Sequence, residues 1–233
     1  MQMVIMAGGL GTRLGPRTQD RPKSLVPVLG KPFLERQIDL IQPQGVTRLV
    51  LCIGHLGEQI VGYFGDGSEF GVQMAYSSEG DSLLGTGGAL KKAEPLLDEK
   101  FFLMWGDSYL RLDYPAVWEE AKRQDLPASM VVYRNDNQRV PSNVVLKEGK
   151  VAVYDKWQED PDKVYIDNGL TVLKKEVLQH IPAGQAFAIE EVFRDLAREG
   201  RLGAIETPQP FYEIGSPAGL RELEELLARE QEA

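Results

Sequence analysis

The sequence is poor in cysteine and histidine. Cys52 is its one cysteine, and His55 and His180 are its two histidines. One cysteine excludes a disulfide within the chain and a zinc site built from several cysteines. Two histidines leave little material for a Ser-His-Asp triad or a histidine-rich metal centre. We therefore expect chemistry that depends on neither residue, in a reducing compartment such as the cytoplasm.

Long apolar runs and an excess of cations are also missing. No run approaches the roughly 18 apolar residues of a membrane-spanning helix, and the apolar stretch at residues 2–6 is too short for a secretory signal. The 26 lysines and arginines are outnumbered by 35 acids, for a net charge of −9. General binding of nucleic acid needs a broad cationic face. We expect a cytoplasmic protein with neither a nucleic-acid nor a membrane partner.

What is present is an ordinary globular composition with alternating patterns. Of the 233 residues, 42% are hydrophobic and 26% charged, which is typical of a folded protein. Short apolar runs that predict strands alternate with helical spacing in the first half: strands at 2–6, 49–53, 72–76 and 101–105, helices at 33–41, 56–64 and 89–97. This alternation favours a parallel sheet covered by helices on both faces. Ligands of such sheets bind beyond the carboxyl ends of the strands.

The second half of the chain has a different pattern of predicted elements. Strands are predicted at 130–134, 143–147, 151–157 and 165–173, and helices at 174–180, 189–198 and 217–232. The fold class is therefore α/β, with a mixed, mostly parallel sheet flanked by helices and a smaller β-rich part. We expect one domain over residues 1–233, with a first half to about 125, a second half at about 126–216 and a C-terminal helix at 217–233.

A glycine-rich loop follows the first predicted strand and lies in a cationic stretch. Residues 11–31 contain five cations and one acid. Glycines let a ligand approach the backbone, and their N–H groups can cradle phosphate oxygens. Arg13 adds a planar guanidinium that can bind two oxygens at once. Together these features predict a phosphate-bearing ligand.

Two common phosphate loops fit less well. The glycine spacing around Gly9 and Gly11 differs from the dinucleotide fingerprint, and Gly54 and His55 stand where a ribose-binding acid is expected. A Walker A loop fails because no glycine precedes Lys23. An NAD(P)-binding oxidoreductase is therefore the weaker hypothesis.

The loop sequence AGGLGTRL at residues 7–14, followed by RPKSL at 21–25, resembles the signature of the sugar-1-phosphate nucleotidyltransferases, or NDP-sugar pyrophosphorylases. The resemblance covers essentially the whole chain and is strongest to short bacterial enzymes acting on heptose-, mannose- or N-acetylmuramate 1-phosphate. It implies a Rossmann-like, GT-A-like nucleotidyltransferase fold. Further segments follow in the family's order: LGTGGA at 84–89, GDS at 106–108, DK at 155–156, IDNG at 166–169 and IGSP at 214–217.

The resemblance also implies a reaction. A sugar-phosphate oxygen attacks the α-phosphorus of a nucleoside triphosphate and pyrophosphate departs. The attacking phosphate is already anionic, so no histidine base is needed, but crowded negative charge must be neutralised. Catalytic roles fall to Arg13 on the β- and γ-phosphates, Lys23 at the reacting centre, and Asp107, which would bind Mg²⁺.

Three sets of site residues follow from the resemblance. Glu213 is the expected second metal ligand, in the place where the family usually has aspartate. In the pair Asp155-Lys156, the aspartate stands where the family has glutamate. Sugar-phosphate contacts are expected from Asn143, Asp155, Lys156, Asp167, Asn168 and Gly169. Nucleotide contacts are expected from Ala7, Gly8, Gly9, Leu10, Gly11, Thr12, Arg13, Lys23, Glu79, Gly85, Thr86 and Gly87.

The sequence predicts the two substrates less narrowly than it predicts the reaction. Glu79 could accept hydrogen bonds from the Watson–Crick edge of guanine, and the glycines at 85–88 leave room for a base. We expect GTP or UTP as the nucleotide, a GDP-sugar of heptose or mannose type as the product, and a uridylyltransferase as the alternative. From other classes, a catalytically silent sugar-nucleotide sensor and an NAD(P) oxidoreductase stay open. The oligomeric state is not indicated.

Overall fold

The computed structural model describes residues 1–80, 84–138, 140–157 and 160–231. Its α-helices are α1 Phe33–Ile41, α2 Gly57–Phe64, α3 Gly85–Lys92, α4 Tyr114–Gln124, α5 Ile189–Arg198 and α6 Pro217–Gln231. Short 3₁₀ helices lie at Thr12–Thr18, Lys23–Leu25, Gln42–Gln44, Ser68–Phe70, Glu94–Leu96 and Lys175–His180. Its strands are β1 Gln2–Met6, β2 Pro27–Val28, β3 Lys31–Pro32, β4 Arg48–Ile53, β5 Gln73–Ser78, β6 Lys100–Trp105, β7 Ser108–Leu110, β8 Ala128–Arg134, β9 Val144–Lys147, β10 Lys150–Tyr154, β11 Tyr165–Lys174, β12 Leu202–Thr207 and β13 Phe211–Glu213.

A nine-stranded sheet forms the centre, in the order β5-β4-β1-β6-β11-β8-β12-β10-β9. Neighbours from β5 to β6 are parallel. Beyond β6 the pairing is mixed, because β11 runs antiparallel to β6 and β8 while β12 is parallel to β8. The predicted mixed α/β sheet is confirmed, and its continuous parallel part lies in the first half of the chain.

Helices cover both faces of this sheet. In β1, Val4 packs in one core with Leu90 of α3 and Phe193 of α5, whereas Met3 and Ile5 pack in a second core with residues of α1, α2 and α4. Successive side chains of a strand point to opposite faces. The two cores therefore lie on opposite sides of the sheet, as the alternating sequence pattern predicts.

A third core joins the C-terminal helix to the glycine-rich loop. Leu14, next to Arg13, is buried with Ile214 and with Leu220 and Leu223 of α6. This packing fixes the segment before α6 beside the loop, so residues from the two ends of the chain meet at the same edge of the sheet.

Some predicted boundaries are wrong by several residues. The strand expected at 151–157 ends at Tyr154, where the Asp155 carboxylate accepts the Trp157 N–H at 2.8 Å and turns the chain. The helix expected at 174–180 is a 3₁₀ helix. The helix expected at 89–97 begins earlier, at Gly85, and gives way to a 3₁₀ helix around Pro95. Of the C-terminal helix, residues 232–233 lie outside the described residues.

Strands from both predicted halves share the central sheet, with β11 of the second half inserted next to β6 of the first. In the part of the chain that the structure describes, no helix combines the length and apolarity needed to cross a membrane.

Candidate active site

Two loops meet at the carboxyl edge of the parallel strands. Met6 of β1 lies opposite Trp105 of β6, so the glycine-rich loop is beside Gly106 and Asp107. The Gly106 N–H donates to the Met6 carbonyl at 3.1 Å, and a Cβ on Gly106 would collide with that oxygen. A glycine at 106 thus lets the two loops approach, and the predicted proximity of the loop and Asp107 is confirmed.

Lys23 and Asp107 form an ion pair at this edge. Nζ of Lys23 donates to Oδ2 of Asp107 at 2.7 Å, and the side chains are 15% and 28% exposed. The lysine is held by the 3₁₀ helix Lys23–Leu25, where the Leu25 N–H bonds to the Pro22 carbonyl at 2.9 Å. A cation suited to phosphate and a carboxylate suited to a metal ion therefore stand side by side.

Glu213 reaches the same point from the far end of the chain. It belongs to β13, which pairs antiparallel with β7 and sets Glu213 opposite Ser108. The Ile214 N–H donates to the Asp107 carbonyl at 3.0 Å. The Ser216 hydroxyl donates to Glu213 Oε1 at 2.7 Å and accepts the Gly219 N–H at 3.0 Å, so the cap of α6 also orients the carboxylate.

Gly215 marks the place where these groups converge. A Cβ on Gly215 would lie 2.9 Å from Nη2 of Arg13 and 3.1 Å from Oδ2 of Asp107, and would collide with Oε2 of Glu213. The missing side chain leaves room for two carboxylates and a guanidinium to face one another.

Two cavities, of about 580 and 400 Å³, border this junction. They share four lining residues, Arg13, Trp105, Asp107 and Lys156. The first is lined by the glycine-rich loop, Lys23, Glu79, Gly85 and Thr86. The second is lined by residues of β11 and by Asn143 and Glu213. The arrangement can hold two anionic ligands with their charged ends at the shared wall.

Polar groups of β11 face the second cavity. Oδ1 of Asp167 accepts the Gly169 N–H at 2.9 Å and Oδ2 accepts the Tyr154 hydroxyl at 3.2 Å, while burial raises the pKa of Asp167 against the opposing effect of Lys156. Asn168 is 2% exposed, and its Oδ1 has no hydrogen-bond partner among the described residues. A buried acceptor without a partner carries a free-energy cost that a ligand donor would remove.

Glu190 is a site residue that the sequence motifs do not single out. It lies in the first turn of α5 and lines the first cavity. Its Oε1 accepts Lys156 Nζ at 3.1 Å and its Oε2 accepts the Thr86 hydroxyl at 3.0 Å. Burial acts to raise the pKa of Glu190, but the Lys156 ammonium, a hydrogen bond from the Glu190 backbone and the Thr86 hydroxyl together hold it below its ordinary value.

Glu79 is fixed at the wall of the first cavity. Its Oε2 accepts the Leu84 N–H at 2.8 Å, and its Oε1 lies next to Gly8, where a Cβ would approach it to 2.6 Å. One carboxylate oxygen is therefore engaged by the backbone while the other faces the glycine-rich loop.

Most of the predicted site residues line one of these two cavities, and four line neither of them. Thr12 is exposed, and Gly11 turns with a positive φ of 65° next to Thr18. Gly87 is buried, and Asp155 bonds to its own turn. The residues that do line a cavity are Ala7, Gly8, Gly9, Leu10, Arg13, Lys23, Glu79, Gly85, Thr86, Asp107, Asn143, Lys156, Asp167, Asn168, Gly169 and Glu213.

The expected reason for the glycines at 85–88 is wrong in part. The Gly87 N–H donates to the Phe187 carbonyl at 2.8 Å, and a Cβ on Gly87 would lie 2.7 Å from the Phe187 ring. The space beside Gly88 is filled by the Gln185 carbonyl. These glycines admit a neighbouring chain segment, and only Gly85 and Thr86 of this motif border the cavity.

Comparison with known proteins agrees with the predicted family. A family model described as nucleotidyl transferase matches residues 2–229. A UTP–glucose-1-phosphate uridylyltransferase of Synechocystis sp. is 30% identical over 92% of this chain, which spans 58% of that protein's length. An N-acetylmuramate α-1-phosphate uridylyltransferase of Neisseria meningitidis serogroup B is 29% identical, covering 97% of this chain and 98% of that protein. A D-glycero-α-D-manno-heptose 1-phosphate guanylyltransferase of Campylobacter jejuni is 28% identical, covering 93% and 96%.

Solved structures agree as well. HddC from Yersinia pseudotuberculosis, in a crystal structure complexed with GMP-PN, superposes with a TM-score of 0.81 at 29% identity and covers 97% of this chain and 99% of that one. The predicted Rossmann-like nucleotidyltransferase fold is confirmed.

Proposed function

Because the chain belongs to the nucleotidyl transferase family, we propose that it transfers a nucleotidyl group from a nucleoside triphosphate to a sugar 1-phosphate, giving an NDP-sugar and pyrophosphate. The observation that carries the proposal is the pair of cavities with Arg13, Trp105, Asp107 and Lys156 in their shared wall. The nucleotide occupies the first cavity and the sugar phosphate the second, so the two reacting phosphates meet at the charged junction.

The reaction is an in-line displacement. An oxygen of the sugar phosphate bonds to the α-phosphorus, the bond from that phosphorus to the bridging oxygen breaks, and pyrophosphate leaves with the electron pair. Since the attacking group is already an anion, no proton has to be removed. Lys23 contacts the reacting phosphates from the first cavity, and Lys156 contacts them from the wall that the two cavities share. Arg13 stabilises the departing pyrophosphate. Positioning and charge stabilisation supply the rate enhancement.

Asp107 and Glu213 are suited to hold a divalent ion, which we propose to be Mg²⁺. Gly215 leaves both carboxylates facing one space. Within the described ranges no cluster of three or more His, Cys, Asp or Glu side chains could hold a metal ion. A carboxylate pair with phosphate oxygens and water is the ligand set that Mg²⁺ commonly takes. When bound, the ion supplies positive charge to the phosphates of both substrates.

Replacing Glu213 with glutamine should weaken the metal dependence of the reaction. Glu213→Gln keeps the hydrogen bond from Ser216 but removes one negative charge from the pair, so we expect the Mg²⁺ concentration for half-maximal rate to rise about tenfold. Pyrophosphate release is measured across a Mg²⁺ titration. Glu225→Gln, on the exposed side of α6, is the control. A metal titration identical to that of the unaltered protein would remove Glu213 from the metal site.

The unpaired Oδ1 of Asn168 predicts a donor on the sugar, such as a hydroxyl. Asn168→Ala should raise the KM for the sugar 1-phosphate about tenfold and leave the KM for the nucleotide unchanged. The thermal midpoint should fall only slightly, because Oδ1 is unsatisfied in the free protein and the Nδ2 hydrogen bond to the Gln209 carbonyl is long, at 3.4 Å. Gln209→Ala is the control, since only the backbone carbonyl of Gln209 contacts Asn168. A lower midpoint with an unchanged sugar KM would assign Asn168 a structural role instead.

We propose GTP as the nucleotide and a heptose- or mannose-type 1-phosphate as the acceptor, with UTP as the alternative. Glu79 supports guanine, because its Oε1, which faces the glycine-rich loop, could accept a hydrogen bond from a donor on the Watson–Crick edge of that base. The guanylyltransferase relative and the GMP-PN complex of HddC support this choice. Two relatives named as uridylyltransferases support UTP as the alternative.

A substrate matrix tests the proposed function. The four ribonucleoside triphosphates and dTTP are each combined with a set of hexose and heptose 1-phosphates, with pyrophosphate as the readout. Release with one or a few pairs supports the proposal. Nucleotide binding without release from any pair would support the silent sensor, which the comparisons do not favour, as they do not favour an oxidoreductase.

We propose that residues 1–233 act as one domain in the cytoplasm. The sheet shared by both halves supports the first point. The free thiol of the buried Cys52 agrees with the second, because a reducing compartment keeps thiols reduced.

A further inference from the structure

Glu190 connects the walls of the two cavities. Its carboxylate accepts the Lys156 ammonium on one oxygen and the Thr86 hydroxyl on the other. Thr86 in turn accepts the Ile189 N–H at 3.0 Å, so the hydroxyl is bonded on both sides. The glutamate side chain is 16% exposed. Both of its oxygens are thus used, and it has a fixed geometry.

Lys156 is much less constrained by its own part of the chain. It follows β10 in a segment outside the helices and strands, and its side chain is 35% exposed. Its Nζ lies 5.6 Å from the ring centre of Trp105 and 5.7 Å from that of Tyr154, a favourable but weakly directional environment. The Glu190 carboxylate therefore supplies the directional bond to this ammonium.

We propose that Glu190 is a positioning residue that holds Lys156 at the junction of the two cavities, ready for the phosphate of the sugar substrate. The inference rests on the proposed function. An ammonium has three donors, so one can stay on Glu190 while the others bind phosphate oxygens. The bond between Glu190 and Thr86 connects this lysine to the wall of the nucleotide cavity. This connection fixes the position of the two substrates relative to each other.

Glu190→Gln separates this role from a structural one. Glutamine retains an acceptor for the Thr86 hydroxyl, so the contact between α3 and α5 is kept, but the charge that orients Lys156 is lost. Glu191→Gln is a matched control, because Glu191 is the next residue of the same helical turn and is exposed. Both variants are also made in a Lys156→Met background, which gives a double-mutant cycle.

The first readout is binding of inorganic phosphate, the group common to all sugar 1-phosphates, by calorimetry or NMR titration. We expect Glu190→Gln to weaken the phosphate affinity that depends on Lys156 by about tenfold, and to have no further effect once Lys156 is methionine. Glu191→Gln should leave the affinity unchanged. Unchanged affinity in Glu190→Gln, or an equal loss in the Lys156→Met background, would overturn the inference, as would phosphate binding that Lys156→Met leaves wholly unchanged.

The second readout is steady-state kinetics with the pair selected by the substrate matrix. Glu190→Gln should raise the KM for the sugar 1-phosphate about tenfold and the KM for the nucleotide less than about twofold; equal rises in both would indicate general disruption and overturn the inference. Failure of the proposed function has a different signature, namely phosphate binding through Lys156 and Glu190 without pyrophosphate release from any substrate pair.

Discussion

Asp107→Asn is expected to lower turnover by about two orders of magnitude or more. Asparagine has nearly the same size and can still accept a hydrogen bond from Lys23, but it removes the negative charge at the junction. That charge pairs with Lys23 at 2.7 Å and faces the same space as Glu213. The variant therefore leaves an unpaired ammonium and half of the carboxylate pair. The measurement is the initial rate of pyrophosphate release at saturating substrates and Mg²⁺.

Asp195→Asn is the matched control, since Asp195 is an exposed residue of α5 that pairs with Arg198 at the surface. It should retain full turnover. Folding of Asp107→Asn is checked by its thermal midpoint, which should change little because asparagine has nearly the same volume and keeps an acceptor for Lys23. Near-normal turnover in a folded Asp107→Asn protein would exclude Asp107 from catalysis.

The sequence predicts the parallel half of the fold well, because each strand there is a short apolar run followed by glycine or a polar turn. The strands predicted at 2–6, 49–53 and 101–105 match β1, β4 and β6 within one residue. Their parallel order places the loops after β1 and β6 at one edge, which the general rule for ligand sites in such sheets anticipates. Local pattern and global topology agree in this half.

The elements that the sequence analysis does not predict depend on packing or on distant pairing. Strand β12 contains glycine and alanine, and a Cβ on Gly203 would collide with the Gln124 side chain of α4, so contact between elements rather than strand propensity selects the residue. The ribbon of β7 and β13 joins a three-residue strand from the middle of the chain to one near its C-terminal helix. Helix α4 did carry a local signal, because Asp113 caps it by accepting the Ala116 N–H at 2.9 Å.

The site residues likewise fall into those that the sequence predicts and those that only the structure reveals. Arg13, Lys23 and Asp107 belong to motifs with a distinctive sequence, and the structure brings them together. Glu190 has no such mark, because it is one of two adjacent glutamates in the first turn of α5 and the helical pattern does not separate them. Only the tertiary contacts, which turn Glu190 towards Lys156 and leave Glu191 exposed, reveal the difference.

The Arg13 side chain owes its position to groups that are not themselves part of the chemistry. Leu14 is buried against Ile214 and α6, and the Thr18 hydroxyl donates to the Gly11 carbonyl at 2.9 Å, closing the loop. These anchors hold an otherwise exposed arginine where it lines both cavities, with Nη2 close to Gly215. Substitution of Arg13 should therefore change the chemistry without loosening the loop.

Arg13→Ala is expected to lower turnover by about two orders of magnitude or more, since no other group in the proposed mechanism offers paired donors to the departing pyrophosphate. Arg13→Lys should recover part of the loss, because a lysine restores the charge but not the fork that binds two oxygens. Arg123→Ala, at an exposed position on α4, is the control and should be fully active. Pyrophosphate release is measured for all three. If Arg13→Ala kept near-normal turnover, Arg13 would have no part in stabilising the leaving group. If Arg13→Lys were no better than alanine, the positive charge alone would not account for the effect of Arg13.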